Sequence, residues 1–162
     1  MIISLKNKDT LVIDKFYLKC CIGKNGVNNK KREGDFTTPK GTFNLNKLYF
    51  RKDRLGKVKC KIPKRIITKS MAWCDDSNHK KYNKEIHIST KYHKECLFRS
   101  DHKYDYLIST SHNQKGIPNK GSAIFIHLTN NYKPTAGCIA LKKKDFEILL
   151  RLIDKKTKIK IG

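Results

Sequence analysis

The chain has 162 residues and carries 37 Lys and Arg against 14 Asp and Glu, a net charge of +23. With 38% hydrophobic residues and a mean hydropathy of −0.66 it reads as one soluble domain, 1–162, able to build a core. No run reaches the ~18 apolar residues of a membrane helix, which excludes a helical membrane span.

The start, Met1 to Lys6, lacks a basic stretch followed by a long apolar run, so no standard signal peptide is visible. Ile2–Leu5, Thr10–Ile13 and Tyr17–Ile22 read as short strands separated by Asn, Lys and Asp turns. Gly23–Gly34 reads as a polar loop holding a solvated Lys-Lys-Arg run. Pro39 and Gly41 form a turn that launches a strand over Thr42–Leu48. Tyr49–Ser70 is basic and irregular, with Pro63 breaking any helix.

Trp73, Asp75, Asp76, Tyr82 and Asn83 follow in a loop-like region with some substrate contact. Tyr104–Ser109 reads as a strand with Ser111, His112 and Asn113 at its end, and Gly116–Gly121 as a turn. Lys142–Asp154 is an amphipathic helix with Phe146, Leu149, Leu150 and Ile153 on one stripe, and Lys158–Ile161 a final strand. The sum is a mainly β fold with one C-terminal helix and room for a short second one.

The chemistry concentrates in Ala123–Leu141. Ala123–Leu128 is an apolar, β-branched run and reads as a buried strand; Cys138–Leu141 reads as a second. Asn130, Asn131, Pro134 and Gly137 supply turn chemistry between them, so the two are expected to pair as a hairpin. The period of two puts Ile124, Ile126, Leu128, Ile139 and Leu141 on one face. His127 and Cys138 then share the other, with Phe125 and Ala140. A thiol becomes a nucleophile when a base takes its proton, and a facing imidazole is suited to that. Gly137 allows a tight path before Cys138, and the amides of Gly137 and Cys138 are candidates to receive an oxyanion.

The other cysteines, at 20, 21, 60, 74 and 96, form no C-x-x-C pair, and five is an odd number for a disulfide framework. Cys74, His79, His87, His93 and Cys96 have no recognised metal-ligand spacing, so no metal and no cofactor are expected. Three readings of the charge compete: nucleic-acid binding, attraction to an anionic wall polymer, and Lys-, Asn- and Ile-rich composition alone. Only six residues are Arg, which counts against specific nucleic-acid recognition.

The run Ile126-His127 with Pro134-Thr135-Ala136-Gly137-Cys138-Ile139-Ala140-Leu141 resembles the signature of the YkuD-type L,D-transpeptidases. Gly34-Asp35-Phe36-Thr37-Thr38-Pro39-Lys40-Gly41-Thr42-Phe43 resembles their D-x-x-T-P-x-G-x-F segment. Ala72-Trp73-Cys74-Asp75-Asp76 with Tyr82-Asn83, and Gly121–His127, are similar to blocks of a subgroup with a Thr-Ala-Gly-Cys motif. The resemblance spans nearly the whole chain. Departures from the commoner family pattern are Ala136 in place of His, Ala140 in place of Arg or Asn, and a shorter His–Cys interval.

The resemblance implies a β-sandwich-like catalytic fold and an enzyme that cross-links peptidoglycan stem peptides through a cysteine thioester. Cys138 is its nucleophile and His127 its base. Beside the resemblance, the sequence places no Asp or Glu to orient His127, so a backbone carbonyl near the hairpin loop is the expected orienter, with Asp75 brought in by the fold as the alternative. Thr135, Ala136, His112, Asn113, Trp73 and Tyr104 are the expected substrate contacts. It further implies inhibition by carbapenem-type β-lactams, a role in cell-wall synthesis and cell shape, a monomer, and a place in the bacterial envelope, periplasmic in a Gram-negative cell. Two alternatives stay open: a cysteine-dependent L,D-carboxypeptidase of the same fold, and a non-catalytic basic domain binding wall or nucleic acid.

Overall fold

A computed structural model describes residues 1–29 and 32–162. Lys30 and Lys31, the first two residues of the Lys-Lys-Arg run, lie outside the described residues. Among the described residues the fold is mainly β, 38% strand and 9% helix, with two helices.

Strands β1 (Ile2–Lys6), β2 (Thr10–Ile13) and β3 (Phe16–Cys21) form an antiparallel meander. Its first turn holds Asn7 and Lys8 at φ 49° and 64°, the left-handed pair that matches strand twist. Two-residue strands β4 (Val27–Asn28) and β5 (Thr38–Pro39) pair in parallel. The long β6 (Gly41–Phe50) is followed by one helical turn, α1 (Lys52–Leu55), and β7 (Lys64–Ile66). Strands β8 (Met71–Cys74), β9 (Glu85–His87) and β10 (Lys94–Cys96) make a separate three-stranded sheet with β8 in the middle. Then come β11 (Tyr106–Thr110), β12 (Phe125–Leu128), β13 (Ile139–Leu141), α2 (Lys143–Leu152) and β14 (Lys158–Ile161).

The main sheet runs β11-β12-β13-β3-β2-β1-β14-β6-β7, and β6 also pairs with β11, closing the ring. Two strands turn the corners. Residues 41–44 of β6 pair with β14 and residues 45–50 with β11. In β3, Phe16–Lys19 pair with β2, while Cys20 and Cys21 pair with β13. Switching partners mid-strand folds one sheet into two facing layers, which is how a sandwich buries both inner faces.

The core between the layers takes Ile3, Leu11, Leu48, Ile108, Ile126 and Ile159. The α2 stripe of Phe146, Leu149 and Leu150, continued by Ile153, packs against it. A second cluster lies on the other side of β11 and β12, where Tyr49, Met71, Trp73, Leu97, Leu107 and Phe125 join the small sheet to the main one.

Three expectations need correction. β12 and β13 pair in parallel, not as a hairpin, with His127 opposite Ala140. The reason lies in the link, residues 129–138, which runs past the end of β3. There Thr135 bridges Gly23: Thr135 N donates to Ile22 O at 2.9 Å, and Lys24 N to Thr135 O at 3.0 Å. The chain thus re-enters the sheet in the direction it left. Met71–Cys74 is a strand, not a loop, because four consecutive apolar side chains are covered on both faces. The stretch 49–70 also contains α1 and β7.

Candidate active site

Period-two geometry holds whichever way the second strand runs. Ile126, Leu128, Ile139 and Leu141 enter the main core, while Phe125 and Cys138 face the second cluster. His127 and Cys138 therefore emerge on one side of the sheet, in the wall of one open cavity of about 640 Å³.

His127 is 7% exposed. Its Nδ1 lies 2.8 Å from Leu128 O. A carbonyl only accepts, so Nδ1 carries the proton and Nε2 of the neutral ring is the acceptor. Burial, with the Lys103 and Arg99 charges adding to it, lowers the imidazole pKa to about 4. The ring is neutral at pH 7 and can take a proton. Tyr104 stands edge-on to it, ring centroids 5.3 Å apart. The Tyr104 hydroxyl donates to Glu95 Oε1 in a short hydrogen bond. Burial drives the phenol well above its ordinary pKa, reinforced by Glu95 and by a charge on Cys138.

Cys138 is half-buried. Its thiol donates to Ala123 O at 3.1 Å, and its sulfur accepts from Phe125 N–H at 3.4 Å. Ala123 reaches this position with φ 51°, a conformation costly for a non-glycine residue. It is held by its amide, which donates to Asn83 Oδ1 at 2.9 Å. Before Cys138, Gly137 has φ 144°, in the region glycine favours. Thr38, fully buried, ties this turn down: its Oγ1 accepts from Gly23 N and donates to Gly137 O, both at 2.9 Å. The Thr-Pro segment thus supports the cysteine turn from behind. No two of the described cysteines form a disulfide.

Of the expected substrate contacts, Thr135, Ala136 and Tyr104 line the cavity; Trp73, His112 and Asn113 do not. Trp73 is 9% exposed, edge-on to Phe125 and Tyr49, and its Nε1 donates to Asn83 Oδ1 at 2.9 Å. It is core because the small sheet covers it. His112 Nε2 lies 2.7 Å from Lys120 O, and the Asn113 side chain donates to Ile117 O and Gly121 O. Those bonds fold the 111–121 loop. Asn83 joins all three, donating to His112 O and Asn113 O at 2.9 and 2.8 Å.

Gly137 N–H also differs from expectation: it donates to Thr135 Oγ1 at 3.1 Å, while that hydroxyl donates to Cys138 O at 2.6 Å. A threonine two residues before a tight turn closes it this way. Glu33, Asp75, Glu95, Arg99, Lys103 and Ser122 complete much of the wall. They come from separate segments; Asp75 and Ser122 lie in the subgroup blocks at Ala72–Asp76 and Gly121–His127, while Glu33, Glu95, Arg99 and Lys103 lie in none. Among the described residues no three His, Cys, Asp or Glu side chains are grouped as a metal would require, and no helix is long and apolar enough to cross a membrane.

A two-layer β fold thus sets a buried neutral imidazole and a cysteine turn in one cavity. The chain matches the L,D-transpeptidase catalytic domain family, YkuD, over residues 2–161, and it belongs to that family. Neither the curated proteins nor the solved structures gave a match.

Proposed function

We propose that this chain, acting as one catalytic unit over 1–162, is an L,D-transpeptidase that cross-links peptidoglycan stem peptides in the bacterial envelope. The observation that carries the reading is the neutral His127 imidazole, its Nδ1–H fixed on Leu128 O, sharing a cavity with Cys138.

His127 Nε2 takes the Cys138 proton as sulfur attacks the donor's peptide carbonyl. A C–S bond forms, and the Cys138 amide receives the developing oxyanion. The Gly137 amide joins it when the Thr135 hydroxyl turns away. As the C–N bond breaks, His127 returns the proton to the departing amine, leaving a thioester. The amine of a second stem peptide then gives a proton to His127 as its nitrogen attacks. The new C–N bond forms, C–S breaks, and the proton passes back to sulfur. A backbone carbonyl serves as the orienter, so no carboxylate is needed behind the imidazole. Ala136 and Ala140 leave the cavity roomier than bulkier residues there.

The test is intact-protein mass spectrometry on wild type and Cys138→Ala after incubation with a carbapenem, then with a stem-peptide donor and an amine acceptor. A single adduct and a cross-linked product from wild type alone are expected. Donor cleavage that ignores the acceptor indicates the carboxypeptidase. Donor turnover undiminished in Cys138→Ala overturns the proposed mechanism, and an inert wild type overturns the enzyme reading.

A further inference from the structure

A second cavity, of about 600 Å³, lies beside the link between β12 and β13 and shares Pro134 with the catalytic one. Its walls come from the β1–β2 turn, from the end of β3 with the residues after it, and from the link itself. Three ammonium-bearing side chains meet there, Lys8, Lys19 and Lys24. Two of the ammoniums are placed by what they touch. Lys19 Nζ stands 4.8 Å from the centre of the Tyr132 ring, and Lys8 Nζ 3.9 Å from where a Cβ on Gly26 would sit. Tyr132 and Gly26 both line the cavity. A fourth ammonium, Lys142, stands 5.3 Å from the same ring. Among the described residues none of these four lysines is in an ion pair.

The negative charge nearby is small. Asp9 is the one carboxylate among the lining residues, and its Oδ1 accepts from the Thr10 hydroxyl at 2.8 Å. Asp145, in the first turn of α2, acts on the Tyr132 phenol from outside the lining. Cys20 and Cys21 also line the cavity and stay neutral, because burial pushes the Cys20 thiol up to about 12 and raises the Cys21 thiol as well. Like charges gathered around a concave surface concentrate anions there.

The aromatic wall is held in place at a cost. Asn131 and Tyr132 have φ 51° and 56°, and an aromatic residue in the left-handed region is uncommon. The buried Thr129 maintains this turn: its Oγ1 accepts from Tyr132 N at 2.8 Å and lies 3.3 Å from Cys21 Sγ. The strained turn sets Tyr132 against the two ammoniums of Lys19 and Lys142.

We propose that Lys8, Lys19, Lys24 and Tyr132 form a binding site for a phosphate group. No Arg lines the cavity. The planar guanidinium fork matches a carboxylate, whereas ammoniums act as point charges that several oxygens of a tetrahedral phosphate can share. Three ammoniums less one carboxylate leave two positive charges, which complement the about −1.5 to −2 of a phosphate monoester at pH 7. Tyr132 and Pro134 belong to the link that ends at Cys138, so an occupied site braces one wall of the catalytic cavity.

The test is NMR titration of the isotope-labelled full chain with inorganic phosphate and with acetate, at about 0.15 M salt, where exposed charges are screened. Phosphate is expected to bind at least about tenfold more tightly than acetate, with amide shifts confined to the cavity walls. Lys19→Gln with Lys24→Gln is expected to weaken phosphate about tenfold, and Lys8→Gln alone to weaken it severalfold. Lys80→Gln with Lys81→Gln, exposed lysines outside the cavity, is expected to leave it unchanged. Equal binding of acetate, shifts spread over lysines across the surface, or an equal loss in the Lys80 and Lys81 variant overturns the site. Glycerophosphoglycerol and vesicles containing phosphatidylglycerol separate the sources. A site for free phosphate or a monoester ignores both, a polymer diester site takes the first, and a headgroup site takes the vesicles; each upholds the phosphate chemistry. None of these readouts uses Cys138, so the site stands or falls apart from the transpeptidase reading.

Discussion

Acid should weaken this fold through His127. The buried imidazole has its pKa lowered to about 4, whereas the unfolded chain takes up the same proton near the ordinary value of about 6.5. Between those values the unfolded state binds a proton that the native state refuses, so stability falls as pH falls. The contribution is fully present above about 6.5 and lost by about pH 4, a loss of about 3 kcal/mol. A domain stable by only about 5–15 kcal/mol will register it. Other groups titrate nearby. His93, raised by Asp75, works in the opposite sense, its contribution present at low pH and lost as pH rises. Asp101, lowered to about 2 by Arg99, loses its contribution only in stronger acid. The informative quantity is therefore a difference. Urea unfolding of wild type and His127→Gln is followed from about pH 7.5 to about pH 4. Wild type should lose about 3 kcal/mol more than the variant across that window. Parallel profiles would refute the claim that His127 is held neutral by burial.

Three further outcomes follow from the geometry. Gly23→Ala puts a Cβ 2.5 Å from Phe36 O and 3.1 Å from Gly137 Cα; backbone cannot swing aside, so a loss of about 1–3 kcal/mol is expected in thermal unfolding, with slower acylation of Cys138. Asn83→Ala removes four hydrogen bonds, to Trp73, Ala123, His112 and Asn113. Denaturant midpoints should report about 3 kcal/mol or more, because buried partners are left unsatisfied. Arg51→Met keeps an apolar stem against Phe98 but loses the guanidinium bonds to Asp53 and to Arg99 O. About 2–3 kcal/mol is expected, with faster amide hydrogen exchange over 99–105, the loop that carries Tyr104; unchanged exchange there would show that Arg51 does not anchor it.

The shared face of His127 and Cys138 was legible because side-chain alternation does not depend on strand direction. Direction itself was not legible. It is set by Thr135 meeting Gly23, residues far apart in the sequence that no local pattern links. The α2 stripe and β14 were readable because their periodicity is complete within one segment. Trp73 misled for a related reason. The polar residues after it suggested a loop, while its actual surroundings, Tyr49 and Phe125, arrive from β6 and β12. The Leu128 carbonyl behind His127 was anticipated as a backbone group, since no acidic residue had a motif reason to be there. The acidic part of the cavity could not be foreseen, because Glu33, Asp75 and Glu95 become neighbours only when three segments fold together.

The position of β14 bears on the order of assembly. It lies between β1 and β6, parallel to the first strand of the chain and antiparallel to the strand that begins at Gly41. Four residues from the far end of the sequence thus join two ladders made from its beginning. During synthesis the meander β1–β3 and the long β6 emerge early, yet their facing edges have no partner until residues 158–161 leave the ribosome. Those edges stay open while more than a hundred residues are added, and loops of that length close slowly. The ring that sets the Cys138 turn against Thr38 then closes after translation has passed Ile161, so Cys138 acquires its finished surroundings last.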